Sequence, residues 1–455
     1  MRLSRRQVLV GAAAAAAVPA WLLSRRPEGR PRTGRPEYVI LVDWDAFDPD
    51  YLGLAPTPNI DALASRGSLS EAQSTFTTKS NPARASLSTG AYPEVHGNAA
   101  YYFDKKANQA VGQTRFLAAE TISQALAAEG KTTVAVQWYM VQDHGTSYGD
   151  PEHLYVEPGG LFEQRVDAAI DILNLRPVDS GGKTVAVPKI PDFLAVYGPD
   201  LDAFGHAEGA ESPNLAPLLA ELDRQLGRLV QATKEVGIYE RTAFLLTGDH
   251  GMTTWYRSLT EKLASMTVLG RHPKIVLPGR PASPEAEIVV VTAGRIADVT
   301  LRGRAATSRG RKEVRAALVR LTQISRVLDA SDFEALHASD KLGDFVVEAK
   351  PPWGFGPPGP EEGAPRGGHG STLEMRVPLL IAGAGVRVGG VPRKPGLVDV
   401  APTISALLGA RPPADAQGRA LDELLSGQPG ISAHTGFSSG SSSASQSRVT
   451  AAVQD

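Results

Sequence analysis

The chain has 455 residues, enough for one large domain with a sizeable insertion or for two domains. Its formal net charge of −2 gives no indication of a basic surface for nucleic acid. It contains no cysteine, which excludes disulfides, thiolate metal sites and a cysteine nucleophile. Any metal site must therefore use His, Asp and Glu side chains.

Residues 1–35 are typical of an export signal followed by a linker. Arg5 and Arg6 directly precede an apolar run that ends at Leu23 and contains small residues suited to cleavage. This arrangement resembles a twin-arginine export signal. The run is also close to the lower length limit for a membrane span, so an uncleaved N-terminal anchor stays open. We expect export across the cytoplasmic membrane, to a periplasmic, extracellular or N-terminally anchored location.

Buried strands alternate with helices along most of the chain. Residues 38–42 form a continuous apolar run of the kind found in a buried parallel strand. Thr57 and Pro58 predict the start of a helix, and Gly67 predicts its end. The later predictions are helices over residues 121–129 and 212–236, and strands over residues 132–137, 193–197, 242–247 and 377–382.

This alternation predicts an α/β fold with a doubly wound, mostly parallel central sheet and helices on both faces. Residues 36–426 form the predicted catalytic domain. Within it, we interpret residues 253–365 as a small α+β insertion that covers the sheet, with a helix over residues 312–328. Residues 427–455 are rich in Ser and Gly, which predicts a disordered tail. The elements of the insertion also include strands over residues 288–291 and 345–348 and a Pro/Gly-rich loop over residues 351–365.

Acidic residues and histidines collect where the predicted strands end, which is the edge at which open α/β sheets bind ligands. A single aspartate there means little, because Asp is common in turns. Asp43 and Asp45 would point to one face of an extended strand, so register alone cannot choose between them. The candidate set, in chain order, is Asp45, Asp202, His206, Asp249, His250 and His369.

The stretch around Ser80 carries the most specific motif. It continues into Thr-Gly-x-x-Pro-x-x-His-Gly at residues 89–97. Here the chain resembles the alkaline phosphatase superfamily, and most closely its type I phosphodiesterase/nucleotide pyrophosphatase branch, whose members carry a nucleophilic Thr or Ser at a helix start. The further matching motifs are Asp-Ala-Phe-Asp-Pro-Asp-Tyr-Leu at residues 45–52, Asp-Ala-Phe-Gly-His at 202–206, Thr-Gly-Asp-His-Gly-Met at 247–252 and Gly-His-Gly at 368–370.

The resemblance implies a covalent hydrolase with two divalent metal ions. It assigns one ion to Asp202, His206 and His369. It assigns the other to Asp45, Asp249 and His250, with Ser80 reaching it when ionised. Mixed carboxylate and imidazole ligands favour zinc.

The expected substrate is a small phosphate ester or nucleotide. Ser80 would attack phosphorus, and the resulting phosphoseryl intermediate would then be hydrolysed. We expect Lys79, Arg84 and Asn98 to contact the substrate, with bracing of the helix as the alternative role for Arg84.

Alternatives stay open because the match is incomplete. The branch usually has Asn at the positions of Ala83 and Tyr101, and Asn98 is the nearest substitute for the second. Residues 80–84 also match a sulfatase signature, in which Ser80 would be converted to formylglycine. Sulfatases have adjacent aspartates after the first strand and bind one calcium, whereas Trp44 separates the two aspartates here. A phosphomonoesterase of the same superfamily and a non-catalytic binding protein with this fold also stay open.

Overall fold

The computed structural model describes residues 34–356 and 363–426. The predicted signal up to residue 33, the predicted tail and the middle of the Pro/Gly-rich loop lie outside the described residues. Within the described ranges, no helix combines the length and the hydropathy needed to cross a bilayer.

The strands, in chain order, are β1 (Tyr38–Trp44), β2 (Gly67–Gln73), β3 (Tyr102–Asp104), β4 (Gln109–Val111), β5 (Thr133–Val136), β6 (His153–Val156), β7 (Val178–Ser180), β8 (Lys183–Val185), β9 (Phe193–Gly198), β10 (Thr242–Thr247), β11 (Thr253–Trp255), β12 (Arg257–Ser258), β13 (Lys274–Ile275), β14 (Ile288–Ala293), β15 (Ile296–Leu301), β16 (Ile324–Leu328), β17 (Phe345–Ala349), β18 (Trp353–Gly354), β19 (Arg366–Gly368) and β20 (Arg376–Gly383). The α-helices are α1 (Pro58–Ala64), α2 (Ser80–Thr89), α3 (Pro93–His96), α4 (Ile122–Ala128), α5 (Phe162–Leu173), α6 (Asp200–Glu208), α7 (Leu215–Glu235), α8 (Thr260–Ser265), α9 (Ser308–Val319), α10 (Ala330–Ala335) and α11 (Val400–Leu408).

Seven strands form the central sheet, in the order β2-β20-β10-β1-β9-β5-β6. The run from β10 to β6 is parallel throughout. Only β20 runs the other way, since it pairs antiparallel with both β10 and β2. This topology confirms the predicted α/β fold with a mostly parallel sheet.

Both faces of the sheet are buried, as a doubly wound fold requires. Along β1, Ile40 and Val42 pack into a core that includes residues of α1, α5 and α7. Val39 and Leu41 point the other way, into a core with residues of α2, α4 and α11. The continuous apolar run of this strand is therefore explained by burial on both sides.

Helix α1 is capped by a distant side chain, contrary to the prediction from the local sequence. Thr57 makes no capping hydrogen bond. Asp223, on α7, instead accepts hydrogen bonds from the backbone N–H groups of Asn59 (3.1 Å) and Ile60 (2.8 Å). Gly67 begins β2 and does not end the helix. Tertiary contact thus provides the acceptor that an N-cap residue normally supplies.

The insertion contains a five-stranded sheet in the order β13-β14-β15-β17-β16. The predicted strands at residues 288–291 and 345–348 are confirmed as parts of β14 and β17. The predicted helix over residues 312–328 is wrong in its second half, because α9 ends at Val319 and residues 324–328 form β16. Pairing of this segment with β17 satisfies its backbone groups along the edge of the sheet.

Candidate active site

Three parallel strands lead to five of the six candidate ligands at one edge of the central sheet, and the sixth, His369, follows β19. The register places Asp43 of β1 beside Thr247 of β10 and Tyr197 of β9. Asp45 and Asp249 therefore emerge side by side just beyond their strands. The segment after β9 turns directly into α6, which carries the next two ligands.

The first cluster consists of Asp202, His206 and His369. Asp202 and His206 are four residues apart on α6, so they share one face of the helix. Asp202 Oδ1 lies 3.3 Å from His206 Nε2 and 3.5 Å from His369 Nε2. The two Nε2 atoms are 3.3 Å apart. The side chains of His206 and Asp202 are 45% and 21% exposed, so this cluster faces solvent.

The second cluster consists of Asp45, Asp249 and His250, and it is buried. His250 Nε2 lies 3.3 Å from Asp249 Oδ2 and 3.5 Å from Asp45 Oδ1. Asp202 also belongs to a compact group with Asp45 and His250, whose ligand atoms all lie within 4.8 Å of one another. Asp202 therefore stands between the two clusters, a placement that the motifs alone do not predict.

Each histidine is held in the tautomer that leaves Nε2 unprotonated. The Nδ1 atoms of His206, His250 and His369 lie 2.7 to 3.0 Å from backbone carbonyl oxygens, to which only a protonated Nδ1 can donate. Burial lowers the pKa of all three imidazoles, to about 3 for His250. They are consequently neutral near pH 7, as metal ligation requires.

The donor atoms of both clusters fit divalent cations. Three buried carboxylate oxygens, Asp45 Oδ1, Asp202 Oδ1 and Asp249 Oδ2, have no hydrogen-bond partner. They lie 3.3 to 3.5 Å from imidazole Nε2 atoms, and Asp249 Oδ2 is also 3.2 Å from Arg84 Nη1. Tetrahedral zinc with bonds of about 2.05 Å implies ligand separations of about 3.3 Å, which is the spacing observed.

Ser80 lies at the first position of α2, beside the second cluster. Its Oγ is 3.3 Å from His250 Nε2. The N-cap residue, Lys79, makes no side-chain capping hydrogen bond to the first backbone N–H groups of this helix. The sequence motif had placed Ser80 at a helix start, and the structure agrees.

Lys79 precedes Ser80 and is buried. Its Nζ donates a hydrogen bond to the His369 carbonyl oxygen at 2.6 Å and lies 5.4 Å from the centre of the Tyr101 ring. The backbone N–H of Arg295, at the β14–β15 turn of the insertion, donates to the same oxygen at 3.1 Å. Burial lowers the pKa of Lys79 to about 8. The ammonium keeps further donors for a substrate oxygen.

Arg84 and Asn98 occupy positions that do not favour the substrate contacts predicted for them. The guanidinium of Arg84 is fully buried among the carboxylates behind the site. Asn98 is also fully buried, and its Nδ2 donates to the carbonyl oxygens of Thr114 (3.1 Å) and Phe116 (2.7 Å). Neither side chain presents a free donor to solvent, so both positions suit a structural role.

Aromatic residues behind the second cluster were missed by sequence reasoning. Tyr197, near the end of β9, donates a hydrogen bond to Asp45 Oδ2 at 2.6 Å. Trp138 donates to Asp43 Oδ2 at 3.0 Å. The signal available in the sequence was a Tyr, which carries a polar hydroxyl, at the end of an otherwise apolar strand. The sheet places this residue beside Asp43.

Comparison with known proteins identifies similar sequences. The sequence model of the type I phosphodiesterase/nucleotide pyrophosphatase family matches residues 39–372. Bis(5'-adenosyl)-triphosphatase enpp4 of Xenopus laevis is 30% identical over 224 residues, which cover 47% of this chain and 47% of that protein. Human ectonucleotide pyrophosphatase/phosphodiesterase family member 5 is 27% identical over 226 residues, covering 47% and 45% respectively. The chain spans about half the length of the curated relatives it matches.

Solved structures show the same fold. Murine ectonucleotide pyrophosphatase/phosphodiesterase 5 superposes with a TM-score of 0.63 at 20% identity, covering 82% of this chain and 96% of that chain. An inactive variant of that murine protein in complex with AMP gives a TM-score of 0.64 at 19% identity, with coverage of 83% and 96%. At these identities the similarity concerns the fold, and it confirms the alkaline-phosphatase-like architecture predicted from the motifs.

Proposed function

Because the chain belongs to the type I phosphodiesterase/nucleotide pyrophosphatase family, we propose that it hydrolyses phosphate esters through a covalent intermediate on Ser80. The family match confirms the resemblance drawn from the motifs. One observation carries the proposal: the Ser80 hydroxyl lies 3.3 Å from His250 Nε2, at a helix N-terminus and beside two clusters of Asp and His ligand atoms. This combination unites a nucleophile, a cation site and backbone donors for phosphate.

The family is metal-dependent, and the chain offers the ligands for two ions. We assign one ion to the first cluster and the other to the second cluster, with zinc as the metal that this donor set favours. When bound, two such cations stabilise the charge that develops on the attacking and leaving oxygens. His206 and Asp202 are the exposed ligands, so substrate enters from the side of the first cluster.

The residues then act in a defined order. The Ser80 hydroxyl gives up its proton to solvent, and its oxygen forms a bond to phosphorus while the bond from phosphorus to the leaving oxygen breaks and that oxygen takes up a proton from solvent. Backbone N–H groups at the start of α2 and the Lys79 ammonium bind the non-bridging oxygens. Water then attacks the phosphoseryl group, the bond from phosphorus to Ser80 Oγ breaks, and the serine hydroxyl is regenerated.

The proposed substrate is a nucleotide or another small phosphodiester or pyrophosphate. The names of the relatives and the AMP complex of the murine protein support this class. We further propose that residues 1–35 direct export, as the sequence predicts.

The test is detection of the covalent intermediate. The protein is mixed with bis(p-nitrophenyl) phosphate and quenched in acid, and tryptic peptides are weighed. Cleavage after Lys79 and Arg84 isolates residues 80–84, which should carry the added phosphoryl ester. Ser80→Ala should abolish the label and cost several orders of magnitude in turnover, whereas Ser80→Thr should keep part of it.

Ser88→Ala is the matched control, because Ser88 lies on the same helix, is also buried and donates its hydrogen bond to the Ala85 carbonyl oxygen. It should label and turn over as the unmodified chain does. Formylglycine at position 80, with aryl sulfate cleaved faster than any phosphate ester, would instead establish the sulfatase alternative. A labelled peptide elsewhere in the chain would contradict the assignment of Ser80.

A further inference from the structure

Arg84 is a fully buried guanidinium that contacts three carboxylates at once. Its Nε donates to Asp43 Oδ2 at 2.7 Å. Its Nη1 lies 3.1 Å from Asp45 Oδ2 and 3.2 Å from Asp249 Oδ2. All four side chains are almost completely shielded from solvent. The two aspartates near Nη1 are the carboxylate members of the second cluster.

The two carboxylate oxygens of Asp45 have different surroundings. Oδ2 of Asp45 is held by Arg84 and by the Tyr197 hydroxyl at 2.6 Å. Oδ1 is left without a hydrogen-bond partner and points toward His250 Nε2, 3.5 Å away. Fixing one oxygen from behind therefore aims the other at the cation position, as outer hydrogen bonds do in metal sites.

Asp43 in turn fixes Arg84. Its Oδ2 accepts hydrogen bonds from Arg84 Nε and from Trp138 Nε1, at 2.7 and 3.0 Å. Its Oδ1 has no partner. The structure records no contact between Asp43 and the histidines of either cluster. The strand register could not decide between Asp43 and Asp45 as the candidate ligand, and this geometry favours Asp45.

Asp43 and Arg84 also affect the net charge around the second cluster. When all three carboxyl groups are ionised, Asp43, Asp45 and Asp249 together with Arg84 leave two negative charges in a buried region. One divalent cation cancels them. Without the charge of Asp43, the same cation would leave a net positive charge out of contact with water, which is unfavourable in a low dielectric.

We propose that Asp43 and Arg84 are positioning residues that orient Asp45 of the second cluster and match the charge of that cluster to a divalent cation. The inference rests on the proposed function, because it concerns the second of the two proposed metal ions. It predicts that Asp43 and Arg84 control metal affinity at the second cluster and leave the first cluster unchanged.

The test is the metal affinity of Asp43→Asn. The amide can keep both hydrogen bonds through its oxygen, and its NH₂ takes the place of the unpartnered Oδ1, so mainly charge is removed. The apo protein is dialysed against chelator-buffered Zn²⁺, and bound metal is counted by plasma mass spectrometry. One of two binding steps should weaken about tenfold or more. A His206→Ala background, which impairs the first cluster alone, should show that the weakened step belongs to the second.

Two further variants complete the experiment. Arg84→Lys keeps the charge but not the planar fork, so it should also weaken the second cluster. Asp223→Asn is the control, because Asp223 is equally buried but caps α1, and its metal affinities should match the unmodified chain.

Unchanged affinities in Asp43→Asn, or an equal loss at both clusters, would overturn the inference and leave the proposed function standing. An unmodified chain that binds fewer than two divalent ions would contradict the proposed function itself. If Arg84→Lys does not fold, Asp43→Asn decides the question alone.

Discussion

Removal of divalent metal should lower the thermal stability of this protein strongly. In the two clusters, imidazole Nε2 atoms and carboxylate oxygens lie 3.3 to 3.5 Å apart. The fold holds these ligand atoms together, so a cation binds the folded chain more tightly than the unfolded chain. Binding therefore adds its free energy to folding.

The magnitude follows from linkage. A cation present at about 1,000 times its dissociation constant stabilises a fold by ~4 kcal/mol per site, or ~8 kcal/mol for two sites. A domain of roughly 400 residues has an unfolding entropy of about 0.8 kcal/mol/K at its midpoint. We therefore expect chelation to lower Tm by about 10 °C.

The assay is scanning calorimetry at pH 7.5 with excess Zn²⁺, after exhaustive dialysis with chelator, and after zinc is restored. His206→Ala disables the first cluster and should show about half of the shift. His272→Ala is the control, since His272 is an exposed histidine outside both clusters and should respond as the unmodified chain does. A Tm that is the same with and without chelator would refute the reasoning, as would a full shift in His206→Ala.

Three other outcomes are expected. Tyr197→Phe removes the hydrogen bond to Asp45 Oδ2 and should weaken metal binding about tenfold, as loss of an outer hydrogen bond does. An unchanged metal affinity in equilibrium dialysis would contradict this role. Burial lowers the pKa of His96 to about 3, below its value of about 6.5 in the unfolded chain. Between these two pH values, the unfolded state binds one more proton than the folded state. The free energy of unfolding therefore falls as the pH drops from about 6.5 to about 3. Between pH 7 and pH 4.5, His96 accounts for a fall of up to about 2.7 kcal/mol in the free energy of unfolding. In urea unfolding, His96→Gln should therefore show a fall that is smaller by up to this amount over the same pH range. Replacing Arg5 and Arg6 by Lys should retain the protein inside the cell in a fractionation experiment, and unchanged export would point to another route.

The proximity of Asp45, Asp202 and Asp249 was predictable because each comes shortly after an apolar strand run, whereas His369 was identified only through its Gly-His-Gly motif. Asp45 and Asp249 come just after apolar runs, and parallel strands bring such residues to one edge. Their spatial assembly therefore needed no knowledge of distant contacts. The same argument explains why the sheet and its two helical layers were predicted correctly.

The parts that sequence reasoning missed depend on contacts between distant segments. The side chain that caps α1 belongs to Asp223, which is far along the chain, so no local sequence pattern predicts it. Residues 324–328 became a strand because β17 offered a free edge. The role of Arg84 depends on which carboxylates enclose it, and its place in the motif was equally compatible with a substrate contact.

The contact between the insertion and the His369 loop has a consequence for how the protein is made. Arg295, in the insertion, and Lys79, beside the nucleophile, donate to the same His369 carbonyl oxygen. His369 also follows the insertion in the chain, so the first cluster is incomplete until synthesis has passed that residue. A C-terminally truncated chain that stops within the insertion would keep Ser80 and the second cluster's residues but lack the last ligand. The first cluster is therefore completed only after the insertion has been synthesised, whereas the residues of the second cluster all precede the insertion.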